Sequence, residues 1–107
     1  MLTLANRLDA MNRLGRALAD PTRCRILLAL LDGPAYPAHL AASLDLTRTN
    51  TSNHLACLRG CGLVVVTPQG RQMRYELADR NLEHALTDLL AVVLAVEPGE
   101  PCDAEAR

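Results

Sequence analysis

Cys57 and Cys61 stand four residues apart in the stretch Thr47-Arg-Thr-Asn-Thr-Ser-Asn-His-Leu-Ala-Cys-Leu-Arg-Gly-Cys-Gly62. In a helix, residues at i and i+4 share a face, so two sulfurs at this spacing can close on one ion. Thiolates are soft donors and favour cadmium, lead or mercury over magnesium or calcium. Zinc also accepts thiolates but usually takes four ligands. A third thiol, Cys102, lies six residues beyond Val96. An extended chain spans about 3.3–3.6 Å per residue, so Cys102 reaches about 20 Å past that point, enough to cross to a second subunit. Cys57, Cys61 and Cys102 are therefore the candidate metal ligands, with His54, an acidic tail residue or water open as a fourth. The plain alternative is a pair of small packing cysteines and an incidental one in the tail. Cys24 sits amid Ile26, Leu27 and Leu28 and reads as a small core residue.

The elements that must position these thiols follow from periodicity. Leu4, Leu8, Met11, Leu14 and Leu18 recur at helical spacing and predict an amphipathic first helix. Asp20-Pro21 is a helix start, with Asp as N-cap and Pro in the first turn. The second helix runs from Pro21 to about Leu31 and stops before Asp32-Gly33-Pro34. A short helix, Pro37–Leu44, and a tight turn at Asp45-Leu46 lead to Thr47, which caps a helix running to Gly60 or Gly62. Two short helices joined by so tight a turn have helix-turn-helix spacing. The period then changes. Leu63–Thr67 is strand-like, Pro68-Gln69-Gly70 is a turn, and Met73, Tyr75 and Leu77 alternate with polar residues on a returning strand. A hairpin directly after the second helix of the pair is the wing of a winged helix. Asp79 starts a last helix expected to run to about Val96, and its Leu89–Val96 half is apolar on every side. Such a segment must be covered all round, and in so short a chain a second subunit is the expected cover.

The expected fold is thus mainly α with a small two-stranded β-hairpin: a winged helix-turn-helix, homodimeric. Residues 1–96 form one DNA-binding and dimerisation domain, and 97–107 a flexible acidic tail carrying Cys102. The net charge of −1 at first argues against nucleic acid. Its distribution weakens that objection: residues 1–96 hold ten Arg against eight acids. On the helix after Thr47, Thr51, Leu55 and Leu58 share the face assigned to the core. Arg48, Thr49, Ser52 and Asn53 project away from it and suit base edges and phosphates. Cys57 and Cys61 fall on the flank beside Asn50 and His54, and Asn50 is counted with the DNA-facing set. Arg71 and Arg74 flank the hairpin tip, placed for contacts to the DNA backbone or minor groove.

The order of elements carries four motifs: Leu14-Gly-Arg-Ala-Leu-Ala-Asp-Pro-Thr-Arg-Cys-Arg-Ile-Leu27, Ser52-Asn-His-Leu-Ala-Cys-Leu-Arg59, Gly62-Leu-Val64 and Gly70-Arg-Gln-Met-Arg-Tyr75. Together they resemble the ArsR/SmtB family of bacterial metal-responsive repressors over about residues 5–96. Within that family, Cys57, Cys61 and Cys102 look like the ligands of the CmtR-type cadmium and lead sensors. Many members carry a Cys-x-Cys pair in the first helix of the helix-turn-helix, but Tyr36-Pro-Ala-His-Leu-Ala-Ala42 has no cysteine. Zinc sensors pair His with acidic ligands on the last helix, whereas here Asp79, Glu83, His84 and Asp88 come with no second His. The resemblance implies a repressor that binds double-stranded operator DNA as a homodimer and lets go when a soft divalent ion, cadmium or lead, binds. His54 occupies a motif position and is expected to have a structural role.

The same cysteines suit a second reading, a thiol-redox sensor, although i and i+4 side chains are poorly aimed for a disulfide and Cys57–Cys102 is easier to build. An enzyme is disfavoured: there is no Cys-x-x-Cys, Ser/His/Asp set, phosphate loop or His-Glu-x-x-His. Leu89–Val96 is too short to span a bilayer, and the N-terminal residues lack the pattern of a signal peptide. A cytoplasmic protein without membrane contact is the expectation.

Overall fold

The computed structural model describes residues 3–92, 95 and 98–101. Cys102, and with it the expectation of a flexible tail that carries it, lies outside them. Five helices and a two-stranded antiparallel hairpin follow one another: α1 (Leu4–Leu18), α2 (Pro21–Leu31), α3 (Pro37–Leu44), α4 (Arg48–Gly60), β1 (Val64–Gln69), β2 (Gln72–Leu77) and α5 (Arg80–Leu90). This is the winged helix-turn-helix expected from the sequence.

The helix starts are set by short polar caps. Thr3, Asp20, Thr47 and Asp79 each accept, through the side chain, the backbone N–H three residues on. Such a bond satisfies one of the donors a helix leaves orphaned at its first turn. Between α3 and α4 the turn is forced by Asp45, which takes the left-handed conformation at φ 56°. A short polar side chain tolerates that region better than most. Leu46 N–H then returns to Ala41 O at 2.8 Å, which locks the angle between the two helices.

The core lies where α2, α3, α4 and the base of the hairpin meet. Ile26, Leu40, Leu55 and Leu58 are fully buried there, with Leu27, Leu30, Leu63, Val64 and Leu77 around them. Burying each such side chain contributes about 1.5–3 kcal/mol, so this cluster dominates the stability of the chain. Thr51 is the buried polar member, and its hydroxyl donates to Thr47 O at 2.8 Å, so no donor is stranded. The hairpin registers Val64 on Leu77 through Gln69 on Gln72. It is held along its length by the segment before α3: Ala35 and Tyr75 exchange both backbone bonds in mid-hairpin, at 2.9 and 2.8 Å, and Tyr36 Oη donates to Gln69 Oε1 beside the turn at 2.7 Å.

Two boundaries differ from expectation. The hairpin turn is Gly70-Arg71, while Pro68 and Gln69 belong to β1. In a two-stranded ribbon each strand keeps an open edge where proline's missing N–H costs nothing. Gly70, at φ 61°, supplies the positive first position of a type II′ turn. The last helix stops at Leu90 rather than near Val96. Ala91 and Val92 close it with tight three-residue bonds to Asp88 O and Leu89 O, both 3.1 Å. Leu89, Leu90 and Val92 are all more than half exposed, so a longer helix would gain no burial to offset its ordering cost.

Candidate nucleic-acid interface and thiol site

α4 presents two faces. Thr51, Leu55 and Leu58 face inward and are buried. Arg48, Thr49, Asn50, Ser52 and Asn53, the residues read from sequence as DNA-facing, are all exposed. Arg71 stands exposed at the hairpin turn, and neither it nor Arg48 makes an ion pair among the described residues. The two arginines line one cavity of 320 Å³ together with Tyr36 and Pro37, so the wing and the start of α4 border the same groove. Arg74 is placed differently. It is half-buried and its Nη1 lies 3.5 Å from Glu76 Oε1, which neutralises part of its charge.

Cys57 and Cys61 are half-exposed, and among the described residues neither forms a disulfide. Cys61 is the C-cap of α4, and its N–H donates to Cys57 O at 3.0 Å. The α-helical repeat therefore holds through both residues and puts their side chains one turn apart on one face. The C-terminal end of a helix carries the negative end of its dipole, which favours a bound cation. A pair of soft donors there suits a soft ion. Among the described residues no group of three or more His, Cys, Asp and Glu side chains is placed to hold a metal. The third candidate ligand read from sequence, Cys102, lies outside the described residues.

His54 points to the start of α2, its Nδ1 lying 3.8 Å from Asp20 Oδ2. The Arg23 backbone N–H, bonded to the Asp20 carboxylate, holds that carboxyl below its ordinary range, and His54 adds to the effect. His54 thus packs α4 beside the α2 cap. Cys24 departs from its sequence reading. It is half-exposed at the lip of an apolar groove formed by Leu27, Leu31, Leu86 and Leu90, with its Sγ 3.3 Å from Leu18 O.

Sequence reasoning missed a set of structural arginines. Arg23 donates to the last-turn carbonyls of α1, at Arg16 and Ala17. Arg25 donates to Leu44 O, the end of α3, at 2.6 Å. Arg13 donates to Gly60 O, the end of α4, at 3.0 Å. Each satisfies an orphan carbonyl and places a cation at the negative end of a helix dipole. No local signal marks them, because donor and acceptor are 6 to 47 residues apart.

Residues 20–66, from the α2 cap through the start of the wing, match the bacterial regulatory protein, arsR family. Over 105 residues the chain is 67% identical to the HTH-type transcriptional regulator CmtR of Mycobacterium bovis and of Mycobacterium tuberculosis, covering 98% of this chain and 89% of that protein. The chain belongs to the ArsR family. It is a transcriptional regulator, and its relatives are not enzymes. This ArsR-family fold superposes on the solution structure of the cadmium metal-sensor CmtR from Mycobacterium tuberculosis with a TM-score of 0.68 and 69% identity, over 88% of this chain and 98% of that one. A second match is the homodimeric winged helix-turn-helix DNA-binding domain Mb0332 from Mycobacterium bovis, with a TM-score of 0.74 and 30% identity, over 81% of this chain and 82% of that one. No helix among the described residues of the regulator is long and apolar enough to cross a membrane.

Proposed function

We propose that this ArsR-family regulator is a cytoplasmic, homodimeric repressor. It holds operator DNA when metal-free and releases it when cadmium or lead is bound by Cys57, Cys61 and Cys102. Zinc and mercury are weaker candidates for the effector. The observation that carries the reading is the placement of Cys57 and Cys61 on one face of α4, the same helix whose other exposed face presents Arg48, Thr49, Asn50, Ser52 and Asn53. Support also comes from CmtR, a cadmium metal-sensor 69% identical to this chain over the matched structure.

Bound soft metal supplies a crosslink between the two thiolates of α4 and a third from the tail. The tail residues around Cys102 include Glu97, Glu100, Asp103 and Glu105. Capture of Cys102 brings these acids toward the DNA-facing surface, where they repel phosphate, while the crosslink fixes the end of α4. Both effects oppose operator binding. Arg48 and Asn53 read base edges, Arg71 and Arg74 hold the backbone, and the exposed leucines of α1 and α5 pack against the second subunit. The helical bond from Cys61 N–H to Cys57 O keeps their sulfurs poorly aimed at one another for a disulfide, so the redox reading rests on a Cys57–Cys102 bond.

The test is a cadmium titration followed by thiolate-to-metal absorption in the ultraviolet. One cadmium per subunit with strong thiolate absorption is expected, with affinity rising as pH rises because the thiols must lose their protons. Cys57→Ser and Cys61→Ser abolish most of the signal and the release of DNA. Cys102→Ser weakens affinity and blunts release while leaving metal-free DNA binding near normal. A Cys102→Ser chain that responds to cadmium as the unmutated chain does removes Cys102 from the site. Air oxidation that releases DNA while cadmium does not favours the redox reading.

A further inference from the structure

Arg13 stands where α1 meets the end of α4. Its Nη1 donates to Gly60 O at 3.0 Å, and its Nε donates to Asp9 Oδ2, one turn back on α1, at 2.8 Å. Arg13 and Cys61 line the same cavity, together with Leu14, Gly62 and Asp79. The Gly60–Cys61 peptide is therefore held on both sides. Its oxygen accepts from Arg13, and its N–H donates to Cys57 O at 3.0 Å. Because that peptide is a rigid plane, its two ends turn together. Arg23 and Arg25 close the ends of α1 and α3 in a similar way, but Arg13 alone among the three closes the turn that carries Cys57 and Cys61. α1 in turn exposes Leu4, Leu8 and Met11 as an apolar stripe.

We propose that Arg13 is a positioning residue that couples the Cys57/Cys61 turn to α1, and through α1 to the subunit interface. This rests on the reading of Cys57 and Cys61 as metal-holding. A change in the last turn of α4 when the two sulfurs share one ion rotates the Gly60–Cys61 peptide. Arg13 then either follows, shifting α1, or gives up its bond to Gly60 O. Asp9 keeps the guanidinium aimed, so it takes a secondary part in the same link. Without Arg13 the thiol pair still binds metal, but the geometry of the dimer no longer responds to it.

The test uses the full chain and its Arg13→Ala, Arg13→Lys and Asp9→Ala variants. Cadmium ion is one probe. A labelled DNA duplex, selected by the metal-free protein from a random pool, is the other. Thiolate absorption reads metal binding, sedimentation reads assembly, and anisotropy with and without cadmium reads release. Arg13 and Asp9 are an exposed pair, at 42% and 60%, so all three variants are expected to fold. Arg13→Ala should stay dimeric and keep its thiolate absorption, and its metal-free affinity for the duplex should lie within about twofold of the unmutated value. The cadmium-driven loss of DNA affinity should shrink by about fivefold or more, the lower end of typical coupling between sites. Arg13→Lys, which keeps a donor for Gly60 O, should recover part of the loss, and Asp9→Ala should show a smaller loss. Full release from Arg13→Ala or from Asp9→Ala overturns the link. So does a loss of thiolate absorption in Arg13→Ala that matches its loss of release, because Arg13 then supports the site itself. If the unmutated chain shows no thiolate absorption, the reading of the cysteines fails first and takes the proposal with it.

Discussion

At the scale of residues, the arginines divide into those that close helices and those that face solvent. Arg13, Arg23 and Arg25 donate to the ends of other helices, whereas Arg48 and Arg71 border an open groove. Asn53→Ala on α4 should change which base is preferred, at about 1–3 kcal/mol for a two-bond base contact. Arg71→Ala should weaken binding to every sequence and lower the salt slope by about one. Arg74→Ala should do less, because Glu76 already offsets its charge. Binding to a set of duplexes over a salt series checks all three, and equal effects of Arg71 and Arg74 would count against their different placements. Asp20 supplies a pH test. Its folded carboxyl is held below the ordinary range by the Arg23 N–H, so it adds stability above the unfolded value, and that stability is lost as pH falls through the folded one. Asp20→Ala should melt lower than the unmutated chain at neutral pH, and the gap should narrow as pH drops below about 4. A gap independent of pH would show that its charge is not what matters.

At the scale of elements, the sequence was most legible where local chemistry decides. Asp20, Thr47 and Asp79 as N-caps, Pro21 and Pro37 in first turns, and the alternation over β2 give boundaries that agree with the fold to within a residue or two. It was least legible where partners distant in sequence decide. The arginine closures of α1, α3 and α4 have no local pattern, and the hairpin turn moved because strand pairing drew Pro68 and Gln69 into β1. The early end of α5 has a related cause: Leu89, Leu90 and Val92 find no partner in the fold and stay more than half exposed, so packing does not support a further turn. The cysteine pair was legible as spacing alone, since helical periodicity puts Cys57 and Cys61 on one face. The half-exposed position of Cys24 was not, because its neighbours in sequence are apolar while its neighbours in space form an open groove. Leu8→Asp with Leu90→Asp, at exposed apolar positions of α1 and α5, should leave the fold intact by circular dichroism but give monomers with weak DNA binding in sedimentation and anisotropy. A doubly substituted chain that remains dimeric would place the interface elsewhere.

At the scale of the whole molecule, the proposed function asks one helix to serve two ligands. The outward face of α4 is exposed from Arg48 to Asn53, and the thiols follow on its C-terminal flank, with Cys57 about one turn beyond Asn53 on the same rigid element. Rigid proximity alone does not make a switch. Each ligand must favour a different arrangement of the dimer, and the coupling must then be equal in both directions. The measurement that tests this most directly is affinity for the selected duplex with and without cadmium, paired with cadmium affinity with and without the duplex. A metal-free dimer that loses affinity for the duplex by about 5–150-fold on adding cadmium, with the duplex weakening cadmium binding by the same factor, is the predicted result. Cadmium bound with full thiolate absorption while affinity for the duplex stays unchanged would contradict it.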